Sequence, residues 1–173
     1  MVGSADDADR PELRAYCETM WPQLVGGLAL HCGDRMVAEE LAQEALVRLW
    51  QRWEAVSSSG SPDGWLWTVA LNLSRSKRRR RAAEQRARVR VGQPAMPADD
   101  SAEAVATRDA VAALPDRQRA AVTLHYFAGL SIRETAEAMK CAEGTVAAHT
   151  HKALRSLRDA LGDEITEEVM QHD

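Results

Sequence analysis

The sequence predicts an all-α protein of two small helical domains joined by a flexible linker, the C-terminal one a helix-turn-helix. Three observations lead there. Apolar residues recur at three- and four-residue steps in one segment after another, and nothing in the chain requires a strand. Charged residues make up 28% and aromatic residues 5%, with a single Phe, a composition that suits Leu/Ala/Val helix seams better than an aromatic-rich sandwich. Finally, residues 91–100 (VGQPAMPADD) hold two prolines and no core residue, and so break the periodicity in mid-chain. A chain of 173 residues accommodates one ordinary domain or two small ones.

Residues 1–9 are small, polar and acidic and are expected to be disordered. From Arg10 to Cys32, Leu13, Tyr16, Cys17, Met20, Leu24 and Leu28 fit a helix, with a bend expected at Pro22 and a weakened second half at Gly26-Gly27. Gly33-Asp34 reads as a turn whose Asp34 caps the next helix, Arg35 to Ala55. There Val37, Leu41, Ala45, Leu49 and Trp53 step by four, while Glu40, Gln43, Glu44 and Val47 share the other side with Trp50 close by. After the flexible loop 57–61, Ser61 is an N-cap and Pro62 the first helical residue of a third helix. Leu66, Val69, Ala70 and Leu73 make its expected buried stripe. Six of the seven residues from Arg75 to Arg81 are then Lys or Arg. One or two cations would complement a helix dipole; six make a surface for a polyanion. Residues 82–104 are the expected linker. Overlapping its end, 102–114 is a short helix stopped by Pro115, and 116–128 a second. Ser131–Glu134 is a capping box opening a helix to about Met139, and Thr145 to Leu161 is the last helix, with Val146, Ala153, Leu154, Leu157 and Leu161 inward. The final two form a helix-turn-helix over the 105–161 domain, and 162–173 is an acidic tail.

The net charge of −4 averages over an uneven chain. Between Arg75 and Arg90 stand nine basic residues and one acid, Glu84, whereas acids gather at both ends and along 39–44. Such segregation suggests one polyanionic partner and one that is not. No apolar run of 18 residues is present to span a membrane, and the acidic N-terminus has no secretory h-region. Cys17, Cys32 and Cys141 are odd in number and widely spaced, which predicts a reducing, cytoplasmic setting. The five histidines form no H-E-x-x-H, and no catalytic triad order, phosphate loop or carboxylate pair stands out. Cys141, His149 and His151 lack zinc-ligand spacing. An enzyme, a metal site and a cofactor are therefore not expected.

Three stretches resemble the extracytoplasmic-function (ECF) class of bacterial sigma factors, and the resemblance covers Arg10 to Leu161. Asp34–Trp50 resembles the family's core-polymerase-binding helix. Trp65–Leu73 with the basic run resembles its promoter −10 helix. Leu114-Pro115-Asp116-Arg117-Gln118-Arg119 through Gly144-Thr145-Val146 resembles its −35-reading domain. The resemblance implies that Glu40, Gln43, Glu44, Val47 and Trp50 dock on the clamp of the polymerase's largest subunit. It implies that Trp65, Asn72, Arg75, Ser76, Lys77, Arg78 and Arg79 open and capture the −10 element as unpaired strand, with a base taken out of the stack. Trp67 is as well suited to the core. Thr145, Ala147, Ala148, His149, His151, Lys152 and Arg155 would face the −35 duplex in the major groove. The implied partners are core RNA polymerase, promoter DNA and an anti-sigma factor that occludes the same surfaces, with no membrane contact of the chain's own.

The chain departs from the family where Ala142 replaces the common Ser before Glu143-Gly144-Thr145-Val146, losing a cap worth about 1 kcal/mol. Ala147, Ala148 and His149 also stand where many members place cations and Ser, so fewer fixed charges enter the groove. A stand-alone helix-turn-helix regulator is the competing reading. It would need neither the Glu40–Trp50 face nor the Arg75–Arg81 tract.

Overall fold

The first helix, α1 (Pro11–Cys32), has Pro at its first position and runs unbroken through Pro22, Gly26 and Gly27. The helix is continuous through the position of the expected bend and through the expected weak half, and packing accounts for the glycines. A Cβ on Gly26 would lie 2.7 Å from Phe127 Cζ, and one on Gly27 2.5 Å from Trp67 Cη2 and 3.0 Å from Phe127 Cδ1. The glycines let two aromatic rings reach the helix backbone, and the burial of Trp67 offsets their low helix propensity, while Phe127 keeps 45% of its surface exposed. Gly27→Ala, which would favour an isolated helix, is expected to destabilise this protein by about 1–3 kcal/mol through overpacking. Urea unfolding measures it; a variant as stable as the parent would mean that Trp67 does not sit against Gly27.

Gly33, left-handed at φ 71°, ends α1 by donating its N–H to Ala29 O at 2.8 Å. Asp34 then caps α2 (Arg35–Ser57), its Oδ1 accepting from Val37 N–H at 3.1 Å. Two residues thus turn α1 into α2, and the hairpin buries Leu13, Leu24 and Leu28 against Leu41, Ala45 and Leu49. The third helix, α3 (Pro62–Ala87), opens with Ser61 Oγ accepting from Gly64 N–H at 3.4 Å. The structure describes residues 10–87 and 102–162 of this computed structural model, so the expectations for 1–9, most of the linker and the acidic tail lie outside the described residues. Helix α3 extends past Arg81, which makes the start of the expected linker helical.

Its buried stripe also differs from the expected one. Leu66, Trp67, Ala70, Leu71 and Ser74 are buried, whereas Val69 and Leu73 are half-buried. The face turns towards Trp67 and Leu71 because α3 is covered from two sides, by α1–α2 and by a helix of the C-terminal half.

That half consists of α4 (Ala102–Ala113), α5 (Asp116–Val122), α6 (Ile132–Met139) and α7 (Glu143–Leu161). The single helix expected over 116–128 is instead α5 followed by a π-helical turn at Thr123–Phe127, where Ala128 N–H reaches Thr123 O at 2.9 Å. The wider turn inserts a residue and re-aims those after it; Phe127 is thereby placed on α1. The capping box forms as expected, with Ser131 Oγ accepting from Glu134 N–H and the Glu134 carboxylate accepting from Ser131 N–H. Helix α7 begins at Glu143, two residues before the expected start, and its N-cap Ala142 supplies no side-chain bond.

One apolar core runs through both halves, joining Leu66, Trp67 and Leu71 to Leu124, Met139 and Val146. A smaller cluster of Val111, Leu114, Val122, Ala153 and Leu157 holds α4, α5 and α7 together. The fold is therefore all-α in its described residues, with α3 and α6 in direct contact.

Candidate polymerase and nucleic-acid interfaces

Burying Val37, Leu41, Ala45 and Leu49 leaves the opposite side of α2 in water. Glu40, Gln43, Glu44 and Val47 are exposed there and Trp50 is half-buried. Val47 shows 47% of its surface beside Gln43 and Glu44. Glu44 is paired with Arg48 at 2.9 Å and Glu39 with Arg35 at 3.0 Å, both exposed i,i+4 pairs. Glu40 instead reaches across to Lys77 of α3. This pair joins one residue expected at the polymerase to another expected at the −10 strand, so the two faces meet at an edge.

On α3, Asn72, Ser76, Arg78 and Arg79 are exposed, and Arg75 and Lys77 are half-buried. Trp65 is half-buried and packs on the core. Trp67 is fully buried, so of its two readings the structure selects the core. On α7 the buried Val146, Thr150, Ala153 and Leu157 fix the rotation. Thr145, Ala147, Ala148, His151, Lys152 and Arg155 consequently form one exposed face, and His149 is half-buried at its margin.

The contacts that join the two halves were not foreseen. Both Arg78 guanidinium Nη atoms donate to the Asp116 carboxylate, which holds that carboxyl below the usual carboxylate range. Ser61 Oγ donates to Glu134 Oε1 at 2.8 Å, so the N-cap of α3 is tied to the capping box of α6. Arg119 Nη1 donates to His31 O at 2.9 Å, while its Nη2 donates to Ala112 O at 2.7 Å and Leu114 O at 2.9 Å. It thereby satisfies carbonyls at two helix ends with one cation. The available signals were Gly26-Gly27, which marks a close approach, and the chain's one Phe. Neither identifies its partner in the sequence.

Beneath this seam His31 is 4% exposed, and its pKa falls to about 4 because burial disfavours the imidazolium and Arg119 and Arg78 repel it. An unfolded His titrates near 6.5, so between pH 6.5 and 4 the unfolded chain binds a proton that the folded chain refuses. Stability contributed by the neutral ring is complete above pH 6.5 and is lost as pH falls towards 4. Acidification from pH 7 to 5 is expected to cost about 2 kcal/mol from this group. His31→Gln should remove that part of the slope in denaturant titrations; an unchanged slope would place the proton elsewhere.

Two profiles of the sigma-70 family match the chain, sigma-70 region 2 over residues 8–84 and sigma-70 region 4 over residues 104–157. The RNA polymerase sigma-E factor of Streptomyces coelicolor is 31% identical over 154 residues, which cover 87% of this chain and 86% of that one. The ECF RNA polymerase sigma factor SigL of Mycobacterium tuberculosis is 36% identical over 135 residues, 73% of this chain and 75% of that one. The chain belongs to the ECF family of RNA polymerase sigma factors. Its fold is that of a solved sigma factor, RpoE of Bartonella quintana, in complex with the anti-sigma factor NepR. The TM-score is 0.76 at 23% identity, over 94% of this chain and 98% of that one. As a sigma factor it is a regulator of transcription initiation that directs RNA polymerase to promoters. Among the described residues no helix is long and apolar enough to cross a membrane.

Proposed function

We propose that this sigma factor docks on the clamp of the polymerase's largest subunit through α2, captures the −10 strand with α3 and holds the −35 duplex with α7. The observation that carries this reading is three exposed faces on three helices, those of α2 and α7 opposite buried core positions and that of α3 running on from its buried residues into the basic tract. The acidic and amide face of α2 suits a basic protein surface. The Lys/Arg tract of α3 suits a strand freed of its complement, whose phosphates need cations and whose unstacked base needs a pocket. The N-terminal half of α7 suits the major groove, with Lys152 and Arg155 on phosphates.

Residues 10–81 thus form the polymerase and −10 domain, and 105–161 the −35 domain. The two promoter elements lie about 25 base pairs apart, roughly 85 Å of duplex at 3.4 Å per pair. A compact chain of 173 residues has a radius of gyration of only about 16 Å. Simultaneous reading therefore requires the contact between α3 and α6 to open. A cytoplasmic anti-sigma factor that favours the closed arrangement, or covers the same faces, would keep the protein inactive.

Holoenzyme assembled from this protein and core polymerase tests the reading. Start-site mapping should return a common pair of −35 and −10 sequences, with permanganate-reactive thymines at −10 only when this protein is present. Start sites identical to those of core polymerase alone would contradict it.

A further inference from the structure

A cleft of about 650 Å³ opens at the seam between the two halves. His31 of α1 and Arg48 of α2 line it together with Arg75, Arg78 and Arg79 of α3 and Arg117 of α5. Asp116 is the acid among its lining residues, and both of its carboxylate oxygens are taken by Arg78. Arg48 pairs with Glu44 outside the cleft, and no carboxylate of the cleft is left to balance Arg75, Arg79 and Arg117. Burial lowers the Arg75 pKa, and the neighbouring cations Arg117 and Arg78 lower it further. Bringing Arg117 of α5 beside Arg75 and Arg79 of α3 sets like charges against one another, and an anion in the cleft would offset that repulsion.

We propose that the cleft binds a small phosphate-bearing anion, which bridges Arg75 on α3 to Arg117 on α5 and holds the two halves together. Planar guanidinium forks match phosphate oxygens two at a time. The volume falls within the range of small-molecule sites and exceeds what a single phosphate fills, so it admits a di- or triphosphate with or without a nucleoside. His31 stays neutral near pH 7 and adds no charge of its own. The site overlaps the −10 face in Asn72, Arg75, Ser76, Arg78 and Arg79 and extends beyond it to Arg48, His31 and Arg117 on three other helices, so on the reading proposed above an occupied cleft competes with the −10 strand.

Calorimetric titration of the full chain with inorganic tripolyphosphate and with ADP, at about 0.1 M salt, tests the site. One-to-one binding is expected, weakened at least tenfold by Arg117→Ala. Arg117 Nη1 also donates to Met139 O at 2.8 Å, so Arg48→Ala is the companion variant. Arg48 is held by the exposed pair with Glu44, and its removal leaves the fold unaltered while weakening binding severalfold. Tighter binding of ADP would identify a nucleotide, and tighter binding of tripolyphosphate an inorganic anion; both sustain the site. Binding of several anions per chain, or affinities unchanged within twofold in both variants, would reduce the cleft to an ordinary basic surface and overturn the proposal. The readout needs neither polymerase nor promoter, so failure of the sigma-factor mechanism and failure of this site are separable.

Discussion

Glu44→Lys is expected to weaken association with core polymerase by two orders of magnitude or more while leaving the protein folded. Glu44 stands at the centre of the exposed face of α2, and its carboxylate makes only the surface pair with Arg48. Losing an exposed i,i+4 pair and creating a like-charge one costs at most about 1 kcal/mol of stability. At a docked interface the same reversal sets Lys against a basic surface, and truncating a buried interfacial charge pair already costs about 2–5 kcal/mol. Competition for core polymerase measures the first effect and thermal melting the second. Unimpaired competition by the variant would mean that α2 docks by another face.

Trp67→Ala carries the largest expected loss of stability. The indole is fully buried between α1 and the C-terminal half of the protein, with its ring edge against Gly27. Removing a buried Trp side chain costs about 3–5 kcal/mol. At this chain length that lowers the melting temperature by roughly 10 °C or more. The variant is also expected to separate the two halves, because the cavity opens where Gly27, Trp67 and Phe127 meet. Small-angle scattering would show the increase in radius; an unchanged radius and melting point would place Trp67 outside the core.

Most of the helices were legible in the sequence because their signals are local. Asp34 and Ser131 announce helix starts, and the four-residue step of Val37, Leu41, Ala45 and Leu49 identifies both the buried side of α2 and the exposed one. The rotation of α7 followed from Val146, Ala153 and Leu157 in the same way. What was not legible depends on partners distant in the chain. The buried face of α3 is displaced towards Trp67 and Leu71 because α6 covers it, and no pattern within α3 contains α6. The π turn at Thr123–Phe127 sits inside a run with good helical periodicity, and only the placement of Phe127 on Gly26 and Gly27 explains it. Asp116 and Glu134 read as ordinary residues of a helix start and a capping box. Their contacts with Arg78 and Ser61 arise only when the halves meet. The sequence pointed to a basic tract, and the fold added the arginines of α2 and α5 that turn one side of it into a cleft.

Capture of core RNA polymerase by the purified protein, in moderate salt and without DNA, tests the central claim most directly. The account predicts stoichiometric capture by the parent protein and none by Glu44→Lys. No capture by the parent, combined with retained sequence-specific duplex binding through α7, would contradict it and leave a stand-alone helix-turn-helix regulator.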